Sequence, residues 1–205
     1  MLTRAQATTE LLSLLQEKSV FHGDFKLSSG GQSTYYVDCK NTTLDPKGLW
    51  LVGQVMHELI REQEAKRGLK LDAVGGLTMG ADPIATAVGM FSFWKEDKPP
   101  LQVFVVRKTP KGHGQTKLIE GNFRRGDTVV VIDDVVTKGD STLRAIEAVE
   151  QEGGKVGFVA VLVDRQEGGR KIIEDRGYAV AAVFSRDELL ARNPEPHPPG
   201  NLIRA

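Results

Sequence analysis

An α/β protein built on an open parallel sheet flanked by helices is what this sequence predicts. Three observations predict it. From residue 72 onward, short apolar strands alternate with helical segments, the βαβ rhythm that produces a parallel sheet with right-handed crossovers. The run Val156-Gly157-Phe158-Val159-Ala160-Val161-Leu162-Val163 is apolar on both faces, as a central strand covered by helices on both sides requires. The 205 residues suit one such domain with a sizeable core.

The elements follow in order. Residues 3–19 read as a helix: Thr3 and Gln6 stand at capping-box spacing, and Leu11, Leu12, Leu14 and Leu15 supply the apolar face. Gly23 and Asp24 are expected to end that segment. Phe25 to Asp38 alternates loosely and is split by Ser28-Ser29-Gly30-Gly31, the pattern of a hairpin. Asp45-Pro46 reads as N-cap and first helical residue, and Leu49, Val52, Met56, Leu59 and Ile60 then recur at helical spacing. Strands are expected at 72–76, 101–106, 128–133, 156–163 and 179–184, and helices at 82–93, 141–152, 168–175 and 185–192. Pro194, Pro196, Pro198 and Pro199 exclude regular structure from the tail. Neither an internal repeat nor a linker between independent domains is visible. The expectation is one domain over 1–205, with 1–45 as an N-terminal hood and 193–205 as a proline-rich tail.

Composition excludes several classes. Apolar residues make up 40% and charged residues 26%, which is ordinary for a soluble globular protein and rules against disorder. Lys and Arg total 27, as do Asp and Glu, so no bulk field draws the chain to nucleic acid or an anionic membrane. The longest uncharged apolar stretch, Ile84 to Trp94, is about half the ~20 residues that a spanning helix needs. A lone Cys39 forms no intrachain disulfide and no cysteine-based zinc site, which fits a reducing compartment, expected to be the cytoplasm.

Several familiar motifs fail. Gly75-Gly76-Leu77-Thr78-Met79-Gly80 lacks the dinucleotide-fingerprint spacing, and Gly80 is followed by Ala81, not by the lysine of a P-loop. His57-Glu58-Leu59-Ile60-Arg61 has an arginine where a zinc protease needs its second histidine, which makes it a helix face. Asn41-Thr42-Thr43 is a sequon with no sign of secretion beside it.

Ligands of open α/β sheets sit beyond the carboxyl ends of the strands, and there the informative stretch lies. An apolar strand, Val129-Val130-Val131-Ile132, runs into Asp133-Asp134, then Val135-Val136-Thr137-Lys138-Gly139-Asp140-Ser141-Thr142, where a helix begins. Unpaired N–H groups and the dipole at that helix start suit a phosphate. Thr137, Ser141 and Thr142 can add hydroxyl donors, and two carboxylates can accept from sugar hydroxyls. A ribose 5-phosphate needs both within one small unit. The plainer reading makes the acids a strand end and Ser141 a helix cap; two acids after a buried strand, followed by Thr-x-Gly-x-Ser-Thr, outweigh it.

This stretch resembles the phosphoribosyl diphosphate signature of the type I phosphoribosyltransferases. The resemblance implies that family's fold, an open parallel sheet with a small helix-and-hairpin hood. It also implies a phosphoribosyl diphosphate grip formed by Asp133, Asp134, Val135, Val136, Thr137, Lys138, Gly139, Asp140 and Ser141. Asp140 departs from the small residue usual there.

A second loop, Arg107-Lys108-Thr109-Pro110-Lys111-Gly112-His113-Gly114-Gln115-Thr116-Lys117, has four fixed cations, a histidine and no acid. Placed after a buried strand and too long for a tight turn, it reads as a lid suited to a pyrophosphate leaving group. Arg107, Lys108, Lys111 and His113 match the Arg-Lys-x-x-Lys-x-His-Gly loop of the orotate phosphoribosyltransferases. Phe25 through Asp38 resembles that family's N-terminal strand pair, and Asp164-Arg165-Gln166-Glu167 its Asp-Arg-x-Glu segment.

The resemblance implies transfer of the phosphoribosyl group to orotate, giving orotidine 5′-monophosphate and pyrophosphate in pyrimidine biosynthesis. Lys111, His113, Lys108 and Arg107 would be the catalytic and pyrophosphate-binding cations, and Thr137, Arg165, Tyr36 and Val37 the orotate contacts. Mg²⁺ would accompany the diphosphate, no protein metal ligand is expected, and the chain would be a homodimer whose 107–117 loop reaches the neighbouring site. Ser28 and Thr78-Met79 stand where some members carry Lys and a Tyr-Lys pair. A purine phosphoribosyltransferase, or a non-catalytic phosphoribosyl diphosphate-sensing regulator, would share the Asp133–Thr142 loop. The basic lid with Arg165 opposes the first, and zero net charge without a spare domain opposes the second. A dinucleotide-binding oxidoreductase would share the sheet but needs the missing glycine fingerprint.

Overall fold

The computed structural model describes residues 2–26, 32–109 and 117–191. Helix α1 spans Arg4–Lys18, and the Thr3–Gln6 capping box is formed in both directions. Strand β1, Val20–Lys26, pairs antiparallel with β2, Gln32–Val37. Gly23 and Asp24 lie inside β1 and do not end the preceding element, because the register slips between His22 and Phe25. Gly23 (φ +151°) accommodates that bulge. A short helix not anticipated from sequence, α2 (Lys40–Thr43), leads into α3 (Pro46–Arg67). Asp45 caps α3 by accepting from Gly48 N, with Pro46 in the first turn and Gly68 closing the far end in the left-handed region.

The main sheet has the order β5-β4-β3-β6-β7-β8. Its members are β3 (Ala73–Leu77), β4 (Gln102–Val106), β5 (Ile119–Gly121), β6 (Thr128–Val136), β7 (Lys155–Asp164) and β8 (Val180–Ser185). Between them run α4 (Ala81–Trp94), α5 (Asp140–Gln151) and α6 (Gly169–Asp175), and α7 (Arg186–Leu190) follows β8. All neighbours pair in parallel except β4 and β5. The expected parallel sheet therefore carries one antiparallel edge strand, β5, which runs back along β4.

Two apolar layers sandwich the sheet. Leu11, Leu15, Val52, Met56, Ile84 and Val88 pack with Val130, Ile132, Ala160 and Leu162 on one face. Val129, Val131, Val159 and Val161 meet Ala145, Ile146, Val149 and Ile173 on the other. β7 is buried from Phe158 to Asp164, as its two-sided apolar run requires. Val20, Val37 and Cys39 join the first layer, so the β1–β2 pair is fastened over that face of the sheet.

The switch point of the sheet lies between β3 and β6, since β3 connects outward to β4 and β6 outward to β7. At such a crevice an open sheet binds its ligand. Close backbone approach there demands glycine: a Cβ on Gly76 would sit 2.0 Å from the Ile132 carbonyl oxygen.

Candidate active site

The sequence predicts that β6 ends at residue 133, running into the Asp133-Asp134 pair with a turn after it. The structure continues β6 through both to Val136, paired along β7 as far as Val136 with Asp164. The ladder to β7 outweighs the poor strand propensity of aspartate. The acids are thus fixed by sheet register, and the turn proper begins at Thr137.

They have different surroundings. Asp133 is buried, and its Oδ2 accepts from Ser141 Oγ (2.6 Å) and Thr142 Oγ1 (2.7 Å). Its Oδ1 accepts from Asp134 N at 3.1 Å. Burial still pushes its carboxyl above the ordinary range, against the pull of Ser141 and Thr142. Asp134 is half-buried at the crevice. Burial first and then the charge of Asp133 push it up to about 7, against the attraction of Lys40. Gly80 opens the space beside it: a Cβ there would meet Asp134 Oδ1 at 2.3 Å.

The start of α5 rules out the plainer reading in which Ser141 is a helix cap. Ser141 does not cap α5; the cap is Gly139 in the left-handed region (φ +84°), with no side-chain bond. The Ser141 and Thr142 hydroxyl hydrogens go to Asp133 instead of toward a phosphate. What remains for an anion is the first-turn backbone N–H groups of α5, which have no intrahelical partners. Thr137 is held in place by accepting, at its carbonyl, from Gly169 N at 2.8 Å. Asp140 and Lys138 are exposed.

Arg165 lies at the end of β7, and its backbone N–H donates to Val136 O at 3.0 Å, which ties it to the acid loop. The side chain is buried, its Nη2 is 2.7 Å from Glu167 Oε1, and its guanidinium lies 5.2 Å from the centroid of the Tyr35 ring. Arg165 Nε has no partner among the described residues. Tyr36 packs its ring near Phe21 and Phe25, at 6.5 and 5.7 Å between centroids, and Val37 is buried.

At the end of β4, Arg107 N donates to Leu118 O, and its Nη1 lies 3.3 Å from Glu120 Oε1. Arg107 and Lys108 sit between two cavities. One, about 160 Å³, is lined also by Leu77, Leu118 and Arg144; the other, about 360 Å³, by Thr78, Thr109 and Glu120. Lys111 and His113 lie outside the described residues, as do Ser28 and the 193–205 tail. Thr78 donates to Asp82 Oδ2 at 2.6 Å, holding the loop after β3 against the start of α4.

Two residues missed from sequence belong here. Lys40 Nζ lies 2.8 Å from Asp38 Oδ1. Burial opposes its charge, yet the hydrogen bond and charge of Asp38, with the charge of Asp134, raise its pKa. Cys39 is fully buried among the same groups; burial, then the charges of Asp134 and Asp38, push its thiol well above the usual value. No signal in the sequence joins residues 38–40 to 133–134; the fold over the sheet face does.

A switch-point crevice with a strand-borne acid pair running into a glycine-opened helix start defines a phosphoribosyltransferase of the type I class. No family model matches the chain. It is 46% identical over 184 residues to the orotate phosphoribosyltransferase of Aquifex aeolicus, covering 88% of this chain and 96% of that one. To the enzyme of the same name from Streptomyces coelicolor it is 43% identical over 181 residues, covering 88% and 95%. The chain belongs to the orotate phosphoribosyltransferase family, enzymes of the glycosyltransferase class that serve pyrimidine biosynthesis. Solved structures agree. The Mycobacterium tuberculosis orotate phosphoribosyltransferase in complex with Fe(III) dicitrate superposes with a TM-score of 0.74 at 40% identity, covering 89% of this chain and 98% of that one. The same enzyme in complex with 5-phospho-α-D-ribosyl 1-diphosphate gives 0.70 at 37% identity, with the same coverage.

Proposed function

We propose that this chain joins N1 of orotate to C1′ of phosphoribosyl diphosphate, releasing pyrophosphate. The observation that supports it most is the convergence of the β6–α5 loop and the Arg165 loop, bonded to each other through Arg165 N and Val136 O. The first-turn amides of α5, with Thr137, Lys138 and Gly139, hold the 5′-phosphate. Asp134 accepts from the ribose hydroxyls. Asp133, whose oxygens are already engaged by Ser141, Thr142 and Asp134 N, keeps the loop in shape. Arg165 receives the orotate carboxylate, with Thr137 and the backbone of Tyr36 and Val37 bordering the ring.

As the glycosidic bond to pyrophosphate lengthens, positive charge grows on the ribose and negative charge on the departing group. Asp134 lies on the side of the first. Arg107, Lys108, Lys111 and His113 serve the second, with Lys111 or His113 supplying a proton to the pyrophosphate oxygen while orotate N1 gives up its own proton to solvent as it bonds to C1′. Positioning and electrostatics carry the acceleration, and lid closure keeps water from the cation.

Among the described residues, no three histidine, cysteine or acid side chains gather as a metal site. The hard oxygens at hand are those of Asp134, Thr137 and Ser141. That set suits Mg²⁺ held mainly by phosphate oxygens and water; when bound, the ion supplies neutralising charge to the diphosphate. Trp50, Met90, Phe93 and Trp94 form an exposed apolar face on α3 and α4, which supports a homodimer, with the 107–117 loop serving the partner's site. Light scattering tests the dimer. No described helix is long and apolar enough to cross a membrane, and we place the reaction in the cytoplasm.

The deciding experiment follows orotate absorbance after addition of phosphoribosyl diphosphate and Mg²⁺, with adenine and hypoxanthine as competing bases. Consumption of orotate alone is expected; preference for a purine refutes the base assignment. Lys111→Ala should lose turnover far more than orotate binding, and wild-type turnover in that variant defeats the lid assignment.

A further inference from the structure

We infer that Glu167 and Tyr35 are positioning residues for recognition of the base: Glu167 grips one nitrogen of the Arg165 fork and Tyr35 covers a face of its plane, so that the remaining N–H edge is presented to the orotate carboxylate. The inference rests on the proposed reaction and names how its base pocket is built.

The local backbone does not need the ion pair. Asp164 Oδ1 accepts from Gln166 N at 2.8 Å, Gln166 adopts φ +56°, and Arg165 N is bonded to Val136 O. Those three features fix the turn after β7 through side chains and amides other than Glu167. What Glu167 adds acts on the guanidinium alone, through the 2.7 Å contact from its Oε1 to Nη2. Tyr35, carried by β2, closes from above at 5.2 Å, a distance at which a guanidinium is attracted to the ring face.

The side chain so held is 9% exposed, and its Nε–H has no partner among the described residues. A buried arginine with one nitrogen paired, one face covered and a further donor unpaired is arranged to take a planar, two-oxygen anion. The freedom that a flexible arginine would lose on binding is already lost.

The sign of the effect separates this role from plain electrostatics. Glu167 carries the same charge as the orotate carboxylate. If it only contributed field, removing it would tighten orotate binding; if it positions Arg165, removing it weakens binding although a repulsive charge has gone.

Steady-state kinetics on the full chain would compare wild type with Glu167→Ala, Glu167→Gln, Tyr35→Leu and Tyr35→Phe. The substrates are orotate and uracil, which lacks the carboxylate. Glu167→Ala is expected to raise KM for orotate at least tenfold, with kcat within threefold and KM for phosphoribosyl diphosphate within twofold. Its preference for orotate over uracil should fall by a similar factor. Glu167→Gln, which retains an acceptor for Nη2, should remain within threefold of wild type. Tyr35→Phe keeps the ring and should resemble wild type, whereas Tyr35→Leu should raise KM for orotate about fivefold.

An unchanged or lowered orotate KM in Glu167→Ala overturns the inference, as does an equal loss for orotate and uracil. Should Glu167→Ala fail to fold, equal orotate KM values in Tyr35→Leu and Tyr35→Phe overturn it. A wild type that turns over orotate while its variants do not differ refutes this inference alone; a wild type that ignores orotate refutes the reaction and the inference together.

Discussion

Replacing Asp134 by asparagine should make the protein more stable and nearly inactive, and the size of the first effect can be worked out. In the folded chain, burial and the neighbouring charge of Asp133 raise the Asp134 carboxyl from 3.8 to about 7. A carboxyl that binds its proton more tightly when folded costs stability as pH climbs between those two values, and the full cost is present above the upper one. At about 1.36 kcal/mol per tenfold change, the shift corresponds to at most about 4 kcal/mol. The asparagine amide carries no such charge but forfeits the attraction to Lys40. A net gain of about 2 kcal/mol at pH 8 is therefore expected, or roughly 4–8 °C in Tm for a chain of this size. The difference between variant and wild type should shrink toward zero near pH 4, where both are neutral at this position. Thermal melts from pH 4 to 8, monitored by circular dichroism, measure it. Turnover should fall by about 10- to 100-fold, from the loss of charge-assisted bonds to the ribose. A variant that melts below wild type at pH 8, or a stability difference that does not vary with pH, would refute the reasoning.

Three further outcomes follow from the same geometry. Gly80→Ala places a Cβ 2.3 Å from Asp134 Oδ1; because the far end of a side chain can yield, the fold should survive while KM for phosphoribosyl diphosphate rises about tenfold in initial-rate assays. Gly76→Ala meets the Ile132 backbone carbonyl at 2.0 Å, which cannot yield so easily, and should cost about 1–3 kcal/mol in urea unfolding. Lys40→Met removes a charge that lowers the Asp134 carboxyl, so the acidic limb of the kcat/KM profile should move to higher pH, while Lys40→Arg should leave it near its original position.

How much of this could be read beforehand depended on whether the signal was local. The β7 run, the Asp45-Pro46 helix start and the Thr3–Gln6 box are local, and each stands where expected. The acid pair was found at the right sheet edge, but the extent of β6 was not, because the pairing of Val135 and Val136 with Val163 and Asp164 is a contact between strands. β5 escaped notice because three residues, Ile119–Gly121, make too short a run to show periodicity. α2 escaped because it is four residues long and lacks a side-chain cap. At the site, Arg165 could be picked from the likeness of Asp164-Arg165-Gln166-Glu167 to the family's Asp-Arg-x-Glu segment, whereas Tyr35, Lys40 and Cys39 could not. Their relation to Arg165 and Asp134 exists only once the β1–β2 pair is fastened over the sheet. The destinations of the Ser141 and Thr142 hydroxyls were likewise a matter of tertiary geometry: Asp133, buried behind them, claims both protons.

The bonds from Arg165 N to Val136 O and from Gly169 N to Thr137 O work as a gauge. They join the segment that would hold the pyrimidine to the segment that would hold the sugar phosphate, through rigid backbone and without help from any lid. On the proposed reading, the span between base and 5′-phosphate would be set when the chain folds. A nucleotide with a longer or shorter reach would have to break the gauge, which no rearrangement of side chains could spare it.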